Sequence, residues 1–105
     1  GYEVLTATNG SECLLKLCDT RPDFLVTDID MPVMGGKELC LAIEKQIPDR
    51  AFPIAVLTSR TEMEHRDWTR NIENLVFMEK PVSIRRLLSH IDRCFAEAEF
   101  QERFA

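Results

Sequence analysis

The sequence predicts an α/β fold, in which a parallel sheet is built from strands joined by crossover helices. Short runs rich in β-branched and aromatic residues alternate with longer segments of helical period. At 105 residues, the chain has room for one domain with a modest core and no room for a second. We therefore expect a single open, doubly wound sheet with helices packed on its faces.

Four strands are predicted, over residues 2–7, 24–27, 53–57 and 75–78. Helices are predicted between them over residues 11–20, 36–47 and 62–72. Ser11 is the expected N-cap of the first helix, and Pro48 ends the second because proline cannot continue a helix. The third helix is highly charged and has few apolar anchors, which favours a helix that can shift.

The last predicted helix begins at residue 83 and is strongly amphipathic. Its apolar stripe consists of Ile84, Leu87, Leu88, Ile91, Phe95 and Ala98, which we expect to face the sheet. His90 and the histidine at position 65 lack a partner pattern, so solvated helix positions are expected for both. Residues 96–105 are expected to extend the helix beyond the domain of residues 1–95. Phe100 and Phe104 there face away from the stripe, in a fraying terminus or a partner contact.

Charge and composition exclude several classes of protein. Thirteen Lys and Arg against 18 Asp and Glu leave a net charge of -5, which argues against non-specific nucleic-acid binding. No stretch approaches the roughly 18 apolar residues of a membrane span, and no signal peptide is evident, so a cytoplasmic protein is expected. Cys13, Cys18, Cys40 and Cys94 form no Cys-x-x-Cys pair and lie in apolar contexts. We expect reduced core thiols rather than disulfides or a zinc site.

Polar side chains end three of the predicted strands. Asp28 follows the second strand, Thr58 and Ser59 follow the third, and Lys80 follows the fourth. Because the carboxyl ends of parallel strands form the functional edge of such sheets, these groups are expected to converge. A carboxylate, a hydroxyl and an ammonium together suit phosphoryl transfer, with Asp28 as the nucleophile and the other two holding phosphate oxygens.

These residues carry a resemblance to the receiver domain of bacterial two-component response regulators. The pattern Asp-x-x-Met-Pro-x-Met-x-Gly runs from Asp28 to Gly36, Thr58 follows Asp28 by thirty residues, and the Lys80-Pro81 pair begins fifty-two residues after it. The resemblance covers residues 1–95. It implies a flavodoxin-like doubly wound parallel sheet, with the strand order 2-1-3-4-5 found in that family.

The resemblance implies a role for each site residue. Asp28 would accept a phosphoryl group from a histidine kinase or phosphotransfer protein, Thr58 would hydrogen-bond it, and Lys80 would neutralise it. Thr58 and Phe77 would form the switch that repacks the face made by the fourth and fifth family helices and the last strand, for a downstream protein target. Mg²⁺ would be held by Asp28 and the backbone carbonyl of Asp30. No enzyme activity is implied beyond self-catalysed phosphoryl transfer and dephosphorylation.

One departure from the family is large: the family's first strand and helix are absent, and with them the acidic pair that supplies the remaining magnesium ligands. In the family that strand lies between the first two strands seen here, so its loss would leave residues 2–7 without a neighbour. Three readings are open: the numbering starts inside a longer protein, the chain is naturally truncated, or those two strands pair directly. Open sheet edges would favour a homodimer.

Two alternatives to a phosphorylated receiver remain. The first is a pseudo-receiver, a protein-interaction module that keeps the fold without phosphorylation, which the missing carboxylates favour. The second is a haloacid-dehalogenase-like phosphatase, because Asp28-Ile29-Asp30 resembles the Asp-x-Asp motif of those enzymes. Pro32 stands where that family favours Thr or Val, and no acidic pair follows Lys80.

Overall fold

The computed structural model describes residues 3–59 and 66–104, without the side chains of residues 66 and 98–104. It contains one parallel sheet of four strands in the order β1-β2-β3-β4. The strands are β1 (Val4–Ala7), β2 (Phe24–Asp28), β3 (Ile54–Thr58) and β4 (Leu75–Glu79). Each predicted strand is therefore present, with ends shifted by two residues or fewer, and the predicted α/β class is confirmed.

β1 pairs directly with β2, from Val4 beside Phe24 to Ala7 beside Thr27. The expectation that the first strand would lack a neighbour is wrong, because β1 has β2 as its hydrogen-bonded partner. The physical reason is that the first four residues of β2 are buried, and unpaired backbone groups along a buried strand are costly. Docking β1 against that edge satisfies them.

The helices are α1 (Gly10–Asp19), α2 (Gly36–Gln46), α3 (Arg66–Thr69) and α4 (Ile84–Phe104). Asn9, not Ser11, caps α1: its Oδ1 accepts hydrogen bonds from the backbone N–H of Ser11 at 2.9 Å and of Glu12 at 3.3 Å. The predicted helix over 62–72 is shorter at its end, because the chain turns after Thr69 to enter β4; residues 62–65 lie outside the described part. None of the described helices has the length and apolar character needed to cross a bilayer.

The two faces of the sheet are covered unequally. α1, α2 and α3 pack on one face, over a cluster centred on Leu25, Ile54 and Val56. α4 packs on the other face, where Ile91 lies on the small cluster of Phe24, Val26 and Ala55. The predicted apolar stripe of α4 is only partly buried: Ile84 is 65% exposed and Leu88 is 53% exposed, and neither belongs to the cluster of side chains that α4 covers.

Two expectations about single side chains need correction. His90 is half-buried rather than solvated, because its ring packs edge-on against Phe24 with centroids 5.8 Å apart. All four cysteines are free, and Cys13 and Cys40 lie in the core, where burial raises the pKa of Cys40 to about 12. Cys18 was also expected to be a core thiol, but it is exposed on α1, so this is the second expectation that needs correction.

Candidate functional site

The carboxyl ends of β2, β3 and β4 bring the predicted site residues to one edge of the sheet. The register places Asp28 beside Leu57, and Thr58 beside Glu79. Two backbone hydrogen bonds continue the ladder past the strand ends: Ile29 N–H donates to Leu57 O at 3.0 Å, and Lys80 N–H donates to Thr58 O at 2.8 Å. Asp28, Thr58 and Lys80 are thereby held on three adjacent strands.

Asp28 and Lys80 form an ion pair across this edge. Lys80 Nζ lies 2.7 Å from Asp28 Oδ1, and both side chains are partly open to solvent. Oδ1 itself is shielded from water and accepts no well-directed hydrogen bond from the described residues, so its contact is the ammonium charge. A pair this exposed contributes about 1 kcal/mol or less to stability. The pair therefore matters less for the stability of the fold than for the site, where it places a cation beside one oxygen of the Asp28 carboxylate.

Thr58 and Phe77 lie on the same face of the sheet as α3. Thr58 ends β3 and is buried, while Phe77 is half-buried in β4 beside Val56. The Phe77 ring meets the ring of Trp68 edge-on, with centroids 5.9 Å apart and an interplanar angle of 89°. The predicted switch residue therefore packs on α3 through the only tryptophan of the chain. Sequence reasoning missed this role of Trp68, although a lone tryptophan in a charged segment with few apolar anchors was a signal.

Two backbone hydrogen bonds fix the loop between β2 and α2, one between its two ends and one to the start of α1. Gly36 N–H donates to Ile29 O at 2.9 Å, and Gly10 N–H at the start of α1 donates to Met34 O at 3.0 Å. Val33 between them has a φ of 67°, an unusual value for a β-branched residue. Asp30 is exposed on this loop and lines an open depression that Glu38 also borders. Asp28 and Asp30 therefore lie in different environments: Asp28 is partly buried beside Lys80, whereas Asp30 is exposed on the loop.

The described carboxylates do not by themselves fit a magnesium site. Magnesium takes an octahedron of oxygen ligands, commonly from one or two carboxylates together with waters and substrate oxygens. Within residues 3–59 and 66–104, no group of three or more acidic, His or Cys side chains is placed to hold a metal. Asp28 already has the Lys80 ammonium on its shielded oxygen, and the Asp30 side chain points to solvent.

Comparison with known proteins gives the family. A family model described as "Response regulator receiver domain" matches residues 1–92. Protein PilG of Pseudomonas aeruginosa is 30% identical over 91 residues, which cover 87% of this chain and 67% of PilG. The transcriptional regulatory protein PhoP of Bacillus subtilis is 30% identical over 99 residues, but this chain spans only 40% of its length. For the regulatory protein PrrA of Mycobacterium leprae, the matched part is 28% of that protein.

Solved structures show the same fold. The chemotaxis protein CheY4 of Vibrio cholerae superposes with a TM-score of 0.74 at 34% identity, over 90% of this chain and 78% of that chain. A signal receiver domain from a histidine kinase of Syntrophus aciditrophicus gives a TM-score of 0.78 at 24% identity, over 92% of both chains. The strand-end residues, the parallel sheet and these matches agree, and the chain belongs to the response regulator receiver domain family.

Proposed function

We propose that this receiver domain of two-component signalling accepts a phosphoryl group on Asp28. The observation that carries the proposal is the 2.7 Å pair between Asp28 and Lys80 at the carboxyl edge of a parallel sheet. Receiver domains interact with histidine kinases or phosphotransfer proteins, and we propose such a protein as the donor here.

The division of the chain into a receiver unit over residues 1–95 and an extension over residues 96–105 remains a prediction. Helix α4 runs through that boundary as one helix.

The pairing of Oδ1 with Lys80 leaves Oδ2 as the attacking oxygen. In the proposed step, an Oδ2 lone pair forms a bond to phosphorus while the bond from phosphorus to the donor nitrogen or oxygen breaks, and the leaving group takes that electron pair. The product is an acyl phosphate with roughly two negative charges. Lys80 stays beside the new group and neutralises part of that charge.

The same charge would act on the switch residues. A phosphoryl group on Asp28 offers new acceptor oxygens to the hydroxyl of Thr58 at the end of the neighbouring strand. Thr58 and Phe77 share the α3 face of the sheet, so movement of one threonine changes the packing available to the Phe77 ring. We propose that the face made by α3, β4 and α4 carries the signal to a downstream protein, with a homodimer as one form of that contact.

Receiver domains generally bind Mg²⁺ at the phosphorylation site. In this chain, Asp28 and the Asp30 carbonyl would contribute to holding the ion, which would supply charge neutralisation at the phosphoryl oxygens. The described residues provide no complete ligand set for the ion. Magnesium is accordingly a condition to be varied in the experiment.

Incubation with acetyl phosphate tests the proposal. We expect intact-mass spectrometry to find one added phosphoryl group on the wild-type chain, with and without Mg²⁺ compared in parallel. Asp28→Asn should remove the added mass, because the amide is a poor nucleophile, while Asp30→Asn at the exposed neighbour should retain it. Added mass that persists in Asp28→Asn would contradict the assignment.

In the part of the chain that the structure describes, no three acidic, His or Cys side chains are placed to hold a metal, and this observation favours one second candidate, a pseudo-receiver that binds its protein partner without phosphorylation. In that case the folded wild-type chain gains no phosphoryl mass at any Mg²⁺ concentration. The family match, meanwhile, places the chain with receivers rather than with haloacid-dehalogenase-like phosphatases.

A further inference from the structure

β1 is an edge strand of the parallel sheet. In the described part of the chain, β2 is its only hydrogen-bonded strand, and no strand lies on its other side. The N–H of Phe24 donates to Glu3 O at 3.2 Å, so Glu3 directs its backbone groups toward β2. Backbone groups of successive residues in a strand point to opposite sides, so Val4 and Thr6 direct their N–H and C=O away from β2.

The outer edge of β1 is open to solvent. Val4 is 41% exposed and Thr6 is exposed, and none of the described residues forms a hydrogen bond with their outward N–H and C=O groups. Natural edge strands are commonly blunted by a charged residue or a proline, and Val4–Ala7 contains neither. The other edge strand, β4, ends at the exposed charge of Glu79. We propose that the outer edge of β1 pairs in antiparallel fashion with β1 of a second copy of this chain.

One register satisfies this edge completely. When a two-fold axis passes beside Leu5, Val4 lies opposite Thr6 of the second copy, and the same pair recurs on the other side of the axis. Each such pair exchanges two hydrogen bonds in an antiparallel ladder, so four bonds use every outward N–H and C=O of β1. Of the two-fold registers, only this one sets the two outward-facing residues of β1 opposite each other. Glu3 then falls opposite Ala7, so the two carboxylates do not face each other.

The side chains of β1 suit this pairing. Leu5 packs on the cluster under α1, whereas Val4 and Thr6 lie on the opposite face of the sheet, since side chains alternate along a strand. Val4 and Thr6 are both β-branched, and such side chains pack well against each other on a pleated surface. The two Leu5 side chains meet on the α1 face, where Leu5, Lys16 and Pro22 border a depression of about 360 Å³ that leaves them room.

The proposed contact is small. The paired strand has four residues in each copy, whereas stable complexes typically bury about 1,200–2,000 Å². We therefore expect a weak dimer whose population rises with protein concentration. The contact lies at the edge of the sheet opposite β4, so the face made by α3, β4 and α4 stays available to a protein target. Pairing of β1 requires no phosphoryl group on Asp28.

Sedimentation velocity of the full chain, without any phosphodonor, tests the proposal. We expect the weight-average mass to rise from that of a monomer toward that of a dimer between about 10 μM and about 1 mM. Thr6→Pro removes an outward N–H and no hydrogen bond to β2, so the dissociation constant should rise at least about tenfold. Thr6→Val keeps both the N–H and the β-branch and should retain the wild-type value. Circular dichroism checks that each variant is folded.

Val4→Lys is a second variant that removes no backbone group, so the test holds even where Thr6→Pro does not fold. Its ammonium lies at the exposed edge, where lysine opposes pairing between strands. We expect this variant to be folded and to associate more weakly than the wild-type chain.

Cross-linking tests the register. With diamide as the oxidant and Cys18→Ser as the background, Leu5→Cys should form a disulfide between copies, because facing Cα atoms in a non-hydrogen-bonded pair lie about 4.5 Å apart. Val4→Cys should not, since its two Cα atoms are offset along the strands beyond the roughly 7 Å limit for a disulfide. A monomer at every concentration, a dimer that both Thr6→Pro and Val4→Lys leave intact, or equal cross-linking of the two cysteine variants would overturn the proposal.

Discussion

Gly36→Ala is expected to lower the free energy of unfolding by about 3 kcal/mol, near the upper end of the cost of overpacking a core. Gly36 begins α2 directly beneath the end of β2. A Cβ there would collide with the carbonyl oxygen of Asp28 and lie 2.9 Å from Ile29 Cα. Both obstacles are backbone atoms of the strand end, so they cannot move aside as a side chain does. Urea denaturation followed by circular dichroism measures the loss.

Gly35→Ala is the matched control for that substitution. A Cβ at Gly35 would meet Glu38 Oε2 at 2.8 Å and Ile29 O at 3.1 Å. The nearer obstacle is the far end of a flexible side chain, which can rotate into solvent. We expect a loss of about 1 kcal/mol or less. Equal losses in the two variants would show that the contact with Asp28 does not determine the cost at Gly36.

Arg50→Met is expected to destabilise the fold by about 3 kcal/mol, as for other buried charges whose partners are left behind. Arg50 lies at the end of the sheet opposite Asp28, and its side chain is only 5% exposed. Nη1 donates to Phe52 O at 2.6 Å, and Nη2 donates to Glu44 Oε1 at 3.0 Å and to Glu73 O. The guanidinium therefore ties the segments that lead into β3 and β4, and methionine would fill its volume while leaving those acceptors without a donor.

Arg21→Met provides the comparison, because Arg21 pairs with Asp49 at 3.8 Å on the surface, where both side chains are exposed. Its cost should stay below about 0.5 kcal/mol. Arg50→Lys should recover only part of the stability, since one ammonium cannot reach acceptors that a planar guanidinium spans. Chemical denaturation of the three variants in the same buffer checks the order. A loss at Arg50 no larger than at Arg21 would contradict the proposed clamp.

The sequence was informative about the fold wherever a local signal agreed with tertiary packing. The buried run before Asp28 predicted β2 within one residue of its end, because a short run of apolar or β-branched residues bounded by turn-forming residues is typical of a strand buried on both faces. The order of the strands was not predictable in the same way. Pairing of β1 with β2 depends on which long-range backbone partners are available, and hydrophobic periodicity carries no information about that.

The meeting of Asp28 and Lys80 at one edge was also predictable from the sequence, while the roles assigned to the site residues stay predictions. Strand ends place Asp28 and Lys80 at one edge, so their contact follows from topology once the sheet is parallel. The packing of Trp68 on Phe77 and the burial of His90 against Phe24 could not be predicted, because each depends on how a helix rotates over the sheet. Ile84 and Leu88 illustrate the limit: their spacing fits the apolar stripe, yet both remain exposed.

The unequal covering of the sheet has a consequence for how the molecule opens. The face under α1, α2 and α3 holds the larger cluster of buried side chains. Among the described side chains of α4, only Ile91 is buried, and partly buried neighbours such as Leu87 and Phe95 pack beside it on the smaller cluster. Local unfolding free energy follows buried apolar contact, so detaching α4 costs less than separating β2 from β3. We therefore expect amide hydrogens of α4 to exchange with solvent through a partial opening that leaves the sheet intact, and those of β2 and β3 to exchange only on global unfolding.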